Sequence, residues 1–314
     1  MTKINENNIP ITKIHEAFLE SKNVNLYVLR EDLIHSEISG NKWRKLKYNI
    51  LQAKKLRLNT ILTFGGAYSN HIAATAAAGK EFGLNTVGII RGEEVLPLNP
   101  TMQKAKENGM TFKYISRSQY RENNKYELPF IQELKREFGN FYLVPEGGSN
   151  AIALKGCSEI VDNIDVDFDV ICSACGTGGT LAGIISSLKK QTKVIGFPAL
   201  KGGGFLKEDI NRLLTEYSIQ FDLKIENNNW ELNTDYHFGG YAKVKPELIT
   251  FLQEFYKKHK IKLDLIYTGK MMFGLYDLIQ TADVFNGKTI VVVHTGGVQG
   301  NIGFEERLEI NLFS

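Results

Sequence analysis

Three cysteines, Cys157, Cys172 and Cys175, stand in 314 residues. So few, and an odd number, cannot staple a disulfide scaffold, and they imply a reducing compartment. Cys172-Ser-Ala-Cys175 has the spacing of a redox or zinc pair. It lies in an apolar, strand-like run with no second such pair or histidine pair, so burial is the favoured reading. An excess of either charge is also lacking, with 38 lysines and arginines against 35 aspartates and glutamates. A formal net charge of +3 with no long basic block argues against a nucleic-acid partner. No stretch reaches the roughly 18 apolar residues of a membrane span. Residues 1–8 are polar and asparagine-rich, without the apolar core of a secretory leader. These absences leave a cytoplasmic protein, with no nucleic-acid or membrane partner, as the expectation.

No internal repeat or low-complexity linker interrupts the chain. Its length suits one large α/β domain or two smaller ones. Runs rich in β-branched residues at 24–30, 60–64, 86–90, 111–116, 141–145, 168–173, 193–197, 263–267 and 289–293 read as strands. Between them lie helical segments, such as the alanine-rich 72–82 closed by Gly83 and the segment opened by Asn99-Pro100. Residues 126–138, 181–188, 247–259 and 270–282 are expected to be helical, and 201–236 to be loops and helices without clear order. This alternation describes parallel sheets covered on both faces. Ligands in such sheets sit beyond the carboxyl ends of the strands. Glycine- or serine-rich turns at 65–71, 147–150, 176–180 and 295–297 all follow strands, and they are expected to converge on one cleft.

The helix beginning at Asn41 places apolar Trp43, Leu46, Ile50, Ala53 and Leu56 near helical spacing. Lys42 then falls at its N-terminus, where the helix dipole is already positive. Dipole and burial would both depress a lysine pKa and leave the amine nucleophilic. The plain alternative is a solvated lysine in a basic run with Lys45 and Lys47. Gly176-Thr177-Gly178-Gly179-Thr180 suits a phosphate, since its backbone amides, two hydroxyls and following helix all favour an anion. It is neither a Walker loop nor the G-x-G-x-x-G of dinucleotide folds; a plain tight turn is the alternative. Ser69-Asn70-His71 offers donors for a carboxylate, and Ser69 equally suits a simple helix cap. A nucleophilic lysine, a phosphate loop and a carboxylate loop together point to pyridoxal 5'-phosphate.

In order along the chain stand Gly40-Asn41-Lys42 with Arg44-Lys45-Leu46, Ser69-Asn70-His71, Pro145 through Asn150, Tyr267-Thr268-Gly269-Lys270 and His294-Thr295-Gly296-Gly297. With these motifs the chain resembles the 1-aminocyclopropane-1-carboxylate deaminase and D-cysteine desulfhydrase family, within the tryptophan-synthase-β-like, fold type II pyridoxal-phosphate enzymes. The resemblance implies an α/β fold of two domains with the active site in the cleft between them. A large cofactor domain would comprise 1–44 and 152–314, and a small substrate-loop domain 45–151. It implies that Lys42 forms the Schiff base and moves the substrate's α-proton, and that Asn70 lies beside the cofactor's ring hydroxyl. Gly176, Thr177, Gly178, Gly179 and Thr180 would hold the phosphate, and Thr295 would lie near the pyridine nitrogen. Ser69, with Asn70 and His71, would receive the substrate, Thr268 would lie beside it, and Tyr241 and Tyr267 would be the two active-site tyrosines. A homodimer is the family's habit.

Ring-opening members of the family have glutamate after the second tyrosine and leucine before the Gly-Gly pair. Here those positions are Thr268 and Thr295, the pattern of the desulfhydrase side. A threonine is a weaker partner for the ring nitrogen than a carboxylate, adequate for β-elimination of a good leaving group. The expected activity is therefore conversion of a small amino acid, D-cysteine by preference, to pyruvate, ammonia and hydrogen sulfide. Opening of 1-aminocyclopropane-1-carboxylate is the alternative, and a cofactor-binding protein without turnover a further one. Tyr68 stands where the family has glutamine, Leu265-Ile266 replaces Pro-Val, and 201–236 has no counterpart in the resemblance.

Overall fold

The computed structural model describes Ile4, Glu6, residues 8–122 and residues 126–313. Its strands are β1 (Ile11–Ile14), β2 (Asn25–Leu29), β3 (Thr60–Gly66), β4 (Asn85–Arg91), β5 (Met110–Ile115), β6 (Tyr142–Val144), β7 (Val170–Cys175), β8 (Lys193–Pro198), β9 (Trp230–Leu232) and β10 (Thr289–Val293). The helices are α1 (Ala17–Ser21), α2 (Asn41–Lys55), α3 (Asn70–Phe82), α4 (Pro100–Glu107), α5 (Arg117–Glu122), α6 (Leu128–Phe138), α7 (Ala151–Ser158), α8 (Gly179–Ser187), α9 (Leu206–Phe221), α10 (Pro246–His259), α11 (Thr268–Thr281) and α12 (Ile302–Leu308). None is long and apolar enough to cross a membrane.

The strands form two sheets. One has the order β1-β2-β10-β7-β8-β9 and is parallel except for the β1–β2 pair. The other, β5-β4-β3-β6, is wholly parallel and drawn from 60–144 alone. Each sheet is covered on both sides, as parallel sheets must be. Leu46, Leu154, Leu181 and Leu213 carry α2, α7, α8 and α9 onto one face of the large sheet. Leu252 and Leu275 carry α10 and α11 onto the other. Cys172 and Cys175, three apart on β7, point to opposite faces and enter these two different cores. All three cysteines are buried and free.

Local signals fix most element ends. The Ile72 N–H reaches Ser69 Oγ at 3.4 Å, and the Met102 N–H reaches Asn99 Oδ1 at 3.0 Å with Pro100 behind it. Gly83 closes α3 at φ +69°. Two expectations fail. The run 263–267 is not a strand, because the Asp264 carboxylate gathers the N–H groups of Ile266, Tyr267 and Thr268 and turns the chain into α11. Within 201–236, where loops and helices are expected, lies a 16-residue helix, α9, with Ile210, Leu213, Leu214 and Tyr217 buried along one face. Leu56, placed by periodicity on the apolar face of α2, instead lies beyond its end at 52% exposure.

Candidate active site

The four glycine turns meet. A Cβ on Gly40, at φ +59°, would fall 2.1 Å from Thr295 O, and the Asn41 N–H reaches that same oxygen at 3.3 Å. One on Gly297 would fall 2.8 Å from Asn70 Nδ2, one on Gly148 3.0 Å from His71 Cε1, and one on Gly147 2.8 Å from Thr177 Cγ2. Only glycine permits these approaches of backbone to backbone and side chain. The start of α2, the start of α3, the 147–150 turn and the loop after β7 are thus packed around one place.

The basic run 42–47 divides by helix face. Arg44 turns into the core and makes a two-pronged ion pair with Glu31 at 2.8–2.9 Å. Lys47 pairs with Glu6 and Glu159. The Lys42 N–H donates to Ser39 O at 3.3 Å, and its Nζ makes no hydrogen bond to a described residue. Burial and the neighbouring Lys45 charge pull its amine down from 10.5 to about 7. One turn on, Lys45 is 3% exposed, and its Nζ donates to Gly147 O and Ser149 Oγ at 3.0 Å and to Thr177 Oγ1 at 3.4 Å. Burial lowers its pKa as well. The sequence reading missed Lys45 as a site residue, although its i+3 spacing from Lys42 was the available signal.

The loop 176–180 opens α8 with Gly178 at φ +76°. A Cβ on Gly179 would strike Ser149 Oγ at 2.4 Å and stand 3.3 Å from Lys45 Nζ. The Thr177 and Ser149 hydroxyls lie 2.5 Å apart, and Asn41 Nδ2 donates to Thr180 Oγ1 at 2.8 Å. A buried ammonium, clustered hydroxyls and a helix N-terminus lined with glycine are the chemistry of a phosphate cradle. This donor set fits pyridoxal phosphate: Gly176 to Thr180 with Lys45 and Ser149 can hold its phosphate, with Lys42 one helical turn away to meet its aldehyde.

At the start of α3, Ser69 takes the Ile72 amide and the Ala73 N–H returns to Ser69 O. Those of Asn70 and His71 remain as the orphan donors of a helix N-terminus. The Asn70 side chain lies against Gly297 and accepts from Gln299 Nε2 at 3.3 Å. The His71 ring is not presented to a ligand as a charged group. It is 2% exposed, and Thr63 gives its proton to Val144 O at 2.8 Å, so His71 Nε2–H donates to Thr63 Oγ1 at 2.8 Å. Its Nδ1 is left without a described partner, and burial with Lys42 and Lys45 holds the ring neutral, well below 6.5.

Tyr241 and Tyr267 face each other edge-on, with ring centroids 6.1 Å apart. Burial, and after it the neighbouring Tyr241, raise the Tyr267 phenol well above 10, while Tyr241 keeps 40% of its surface exposed, and the Tyr267 hydroxyl hangs over Gly176. Thr268 departs from the expected substrate-facing role. It is fully buried, and its hydroxyl donates to Asp264 Oδ1 at 2.6 Å while accepting the Asp264 N–H at 2.9 Å. Thr295 is 7% exposed and its hydroxyl makes no hydrogen bond to a described residue. His294 shapes that turn, donating Nε2–H to Lys262 O at 2.7 Å and accepting the Gly296 N–H. Tyr68, 54% exposed, rests its ring 3.0 Å from the Cβ position of Gly303 at the start of α12.

A family model described as pyridoxal-phosphate dependent enzyme matches residues 4–296. The chain belongs to that family. A putative 1-aminocyclopropane-1-carboxylate deaminase of Pyrococcus horikoshii is 32% identical over 90% of this chain and 87% of its own. A D-cysteine desulfhydrase of Yersinia enterocolitica is 25% identical over 87% of this chain and 86% of its own. A crystal structure of an ACC deaminase homologue superposes with a TM-score of 0.86 at 30% identity, covering 98% of this chain and 95% of the other. The fold is that of a fold type II enzyme and the cofactor of the family is pyridoxal phosphate, as expected from the motifs. Both activities that the motifs suggested occur among these relatives' names.

Proposed function

We propose that the protein is a lyase that eliminates the β-thiol of D-cysteine, giving pyruvate, ammonia and hydrogen sulfide. The observation that carries the reading is Lys42: a lysine whose amine is held near neutrality, one helical turn from a phosphate cradle. Bound pyridoxal phosphate would supply an electron sink for the carbanion at the substrate's α-carbon. The protein's own groups supply the rest. The open amides of Asn70 and His71 and the Ser69 hydroxyl receive the substrate carboxylate at the positive end of α3. Lys42 Nζ takes the α-proton, the C–S bond breaks with its electron pair on sulfur, and water furnishes the keto oxygen of pyruvate. The Tyr241 and Tyr267 hydroxyls, on rings packed edge-on, would hand a proton to the departing thiolate. Thr295 would offer the ring nitrogen a hydroxyl where ring-opening members have leucine, and with no glutamate at 268 the site would suit a good leaving group better than a strained carbon ring.

Ring opening of 1-aminocyclopropane-1-carboxylate is the second reading, favoured by the name of the Pyrococcus horikoshii relative at 32% identity. The test is sulfide release from D-cysteine by cofactor-loaded protein, with 2-oxobutyrate release from 1-aminocyclopropane-1-carboxylate measured in parallel. Sulfide without oxobutyrate, abolished by Lys42→Ala, is the expected outcome. Oxobutyrate without sulfide transfers the assignment to the second reading, and neither product overturns both.

A further inference from the structure

The backbone that presents Tyr241 is bent against its preferences. Phe238, Gly239, Gly240 and Ala242 lie at φ +53°, +95°, +126° and +54°, with Tyr241 set among them. A bulky residue such as phenylalanine rarely adopts positive φ, and a series of such residues persists only where the surroundings dictate it. The Gly239 N–H meets His237 Nδ1 at 2.9 Å, the Gly240 and Lys243 N–H groups close turns on His237 O and Gly240 O, and one side chain from outside the segment joins them. Lys270, in the first turn of α11, is 2% exposed, and its Nζ donates to His237 O at 2.9 Å and to Gly240 O at 2.8 Å. Those carbonyls lie at the entry and in the middle of the 238–242 turn, the second directly before Tyr241. The segment's entry is seated on the same helix, where a Cβ on Gly274 would fall 2.5 Å from Tyr236 Cγ.

We propose that Lys270 is a positioning residue of the active site: by clamping the carbonyls of His237 and Gly240 it fixes the 238–242 turn and holds the Tyr241 hydroxyl over Tyr267. The beginning of α11 would then place both tyrosines. Asp264 fixes Tyr267 through its N–H at 2.8 Å, and Lys270 fixes Tyr241 through the turn before it. An ammonium suits the task because its compact head carries three donors and can serve two diverging carbonyls at once. The nearby Asp264 charge offsets part of the cost of burying it.

The kinetic half of the test rests on the lyase reading; the structural half does not. Lys270→Met keeps the stem and removes the donors, and Lys270→Arg keeps donors and charge. In cofactor-loaded protein, amide exchange over 236–243 should quicken about tenfold or more in Lys270→Met, with α11 unchanged. Lys270→Arg should recover part of that protection. In turnover of D-cysteine, Lys270→Met should lower kcat about as much as Tyr241→Phe, with KM moved less than about threefold. The double variant should lose no more than Tyr241→Phe alone, since both act through one hydroxyl. Unchanged exchange at 236–243 overturns the proposal, as do losses that multiply in the double variant. Where no amino acid is turned over, the lyase reading fails and the exchange result still decides for Lys270. Should Lys270→Met not fold, Lys270→Gln, which loses the charge and one of the three donors, takes its place in both measurements with the same outcomes deciding.

Discussion

Lys42 offers the sharpest test of the electrostatics. Its amine sits near 7 rather than 10.5, chiefly through burial and secondly through Lys45. At pH 7 about half of such amines are neutral, against about 1 in 3,000 for an ordinary lysine. Part of that advantage is returned, because a less basic amine is intrinsically a weaker nucleophile, as with thiols. The prediction concerns cofactor-free protein reacting with pyridoxal, which lacks the phosphate and so isolates the amine from the cradle. Trapping by borohydride and mass spectrometry at Lys42 would give the rate. That rate should rise between pH 5.5 and 7 and level off by about pH 8. In Lys45→Met the plateau should move to higher pH, because a neighbouring cation has been removed. Refutation would be a Lys42 rate that climbs steadily, about tenfold per unit, from pH 7.5 to 9.5, as a solvated lysine's would.

Three further outcomes follow from the geometry. Gly40→Ala drives a methyl into Thr295 O, 2.1 Å away, and should weaken cofactor binding roughly tenfold or more in an absorbance titration; unchanged affinity would show that the 295–297 turn moves freely. Arg44→Met leaves Glu31 unpaired at 0% exposure and should cost about 3–5 kcal/mol in urea unfolding, most of it restored by adding Glu31→Gln; a single-variant loss under about 1 kcal/mol would contradict the buried pairing. His71 is held neutral well below 6.5, so as pH falls through that value the unfolded chain takes the proton before the folded one. Stability should therefore fall between pH 7.5 and 5, less steeply in His71→Gln, and equal slopes in the two proteins would refute it.

What could be read in the sequence is what short stretches dictate. Ser69, Asn99-Pro100 and Gly83 mark helix ends because a cap needs only its own neighbours, and the structure has all three in that role. Cys172 and Cys175 read as buried because their run is apolar, and strand alternation sends them to different cores. The four turns were visible as turns, and their meeting followed from the rule for parallel sheets. Long-range pairings left no trace. Lys270 and Gly240 are 30 positions apart, and nothing local says that one amine closes over the other's carbonyl. Asp264 was hidden differently: Leu263, Leu265 and Ile266 around it mimic a strand, while its carboxylate captures three amides and makes a turn. Lys45 was hidden by its company, a basic run whose members face different ways. The face of α9 carried a legible period, obscured by the glycine triplet just before it.

The two threonines that distinguish the rival chemistries are not equivalent once their surroundings are known. Thr268 has its hydroxyl committed both ways to Asp264, inside a fully buried cluster. A glutamate there would place a second carboxylate against the first in the core, which one of them could escape only by protonation or by moving out. The residue at 268 thus answers to Asp264 before it answers to any substrate, and its identity speaks to how the start of α11 is built. Thr295 is different: its backbone carbonyl is fixed by Asn41, while its hydroxyl has no described partner. A hydroxyl not committed to a described residue is free to meet a ligand, as the Thr268 hydroxyl is not. The proposed preference for elimination over ring opening therefore rests on Thr295 and not on Thr268. A change at 295 should alter the balance between the two reactions, and a change at 268 should first alter the stability of the turn that carries Tyr267.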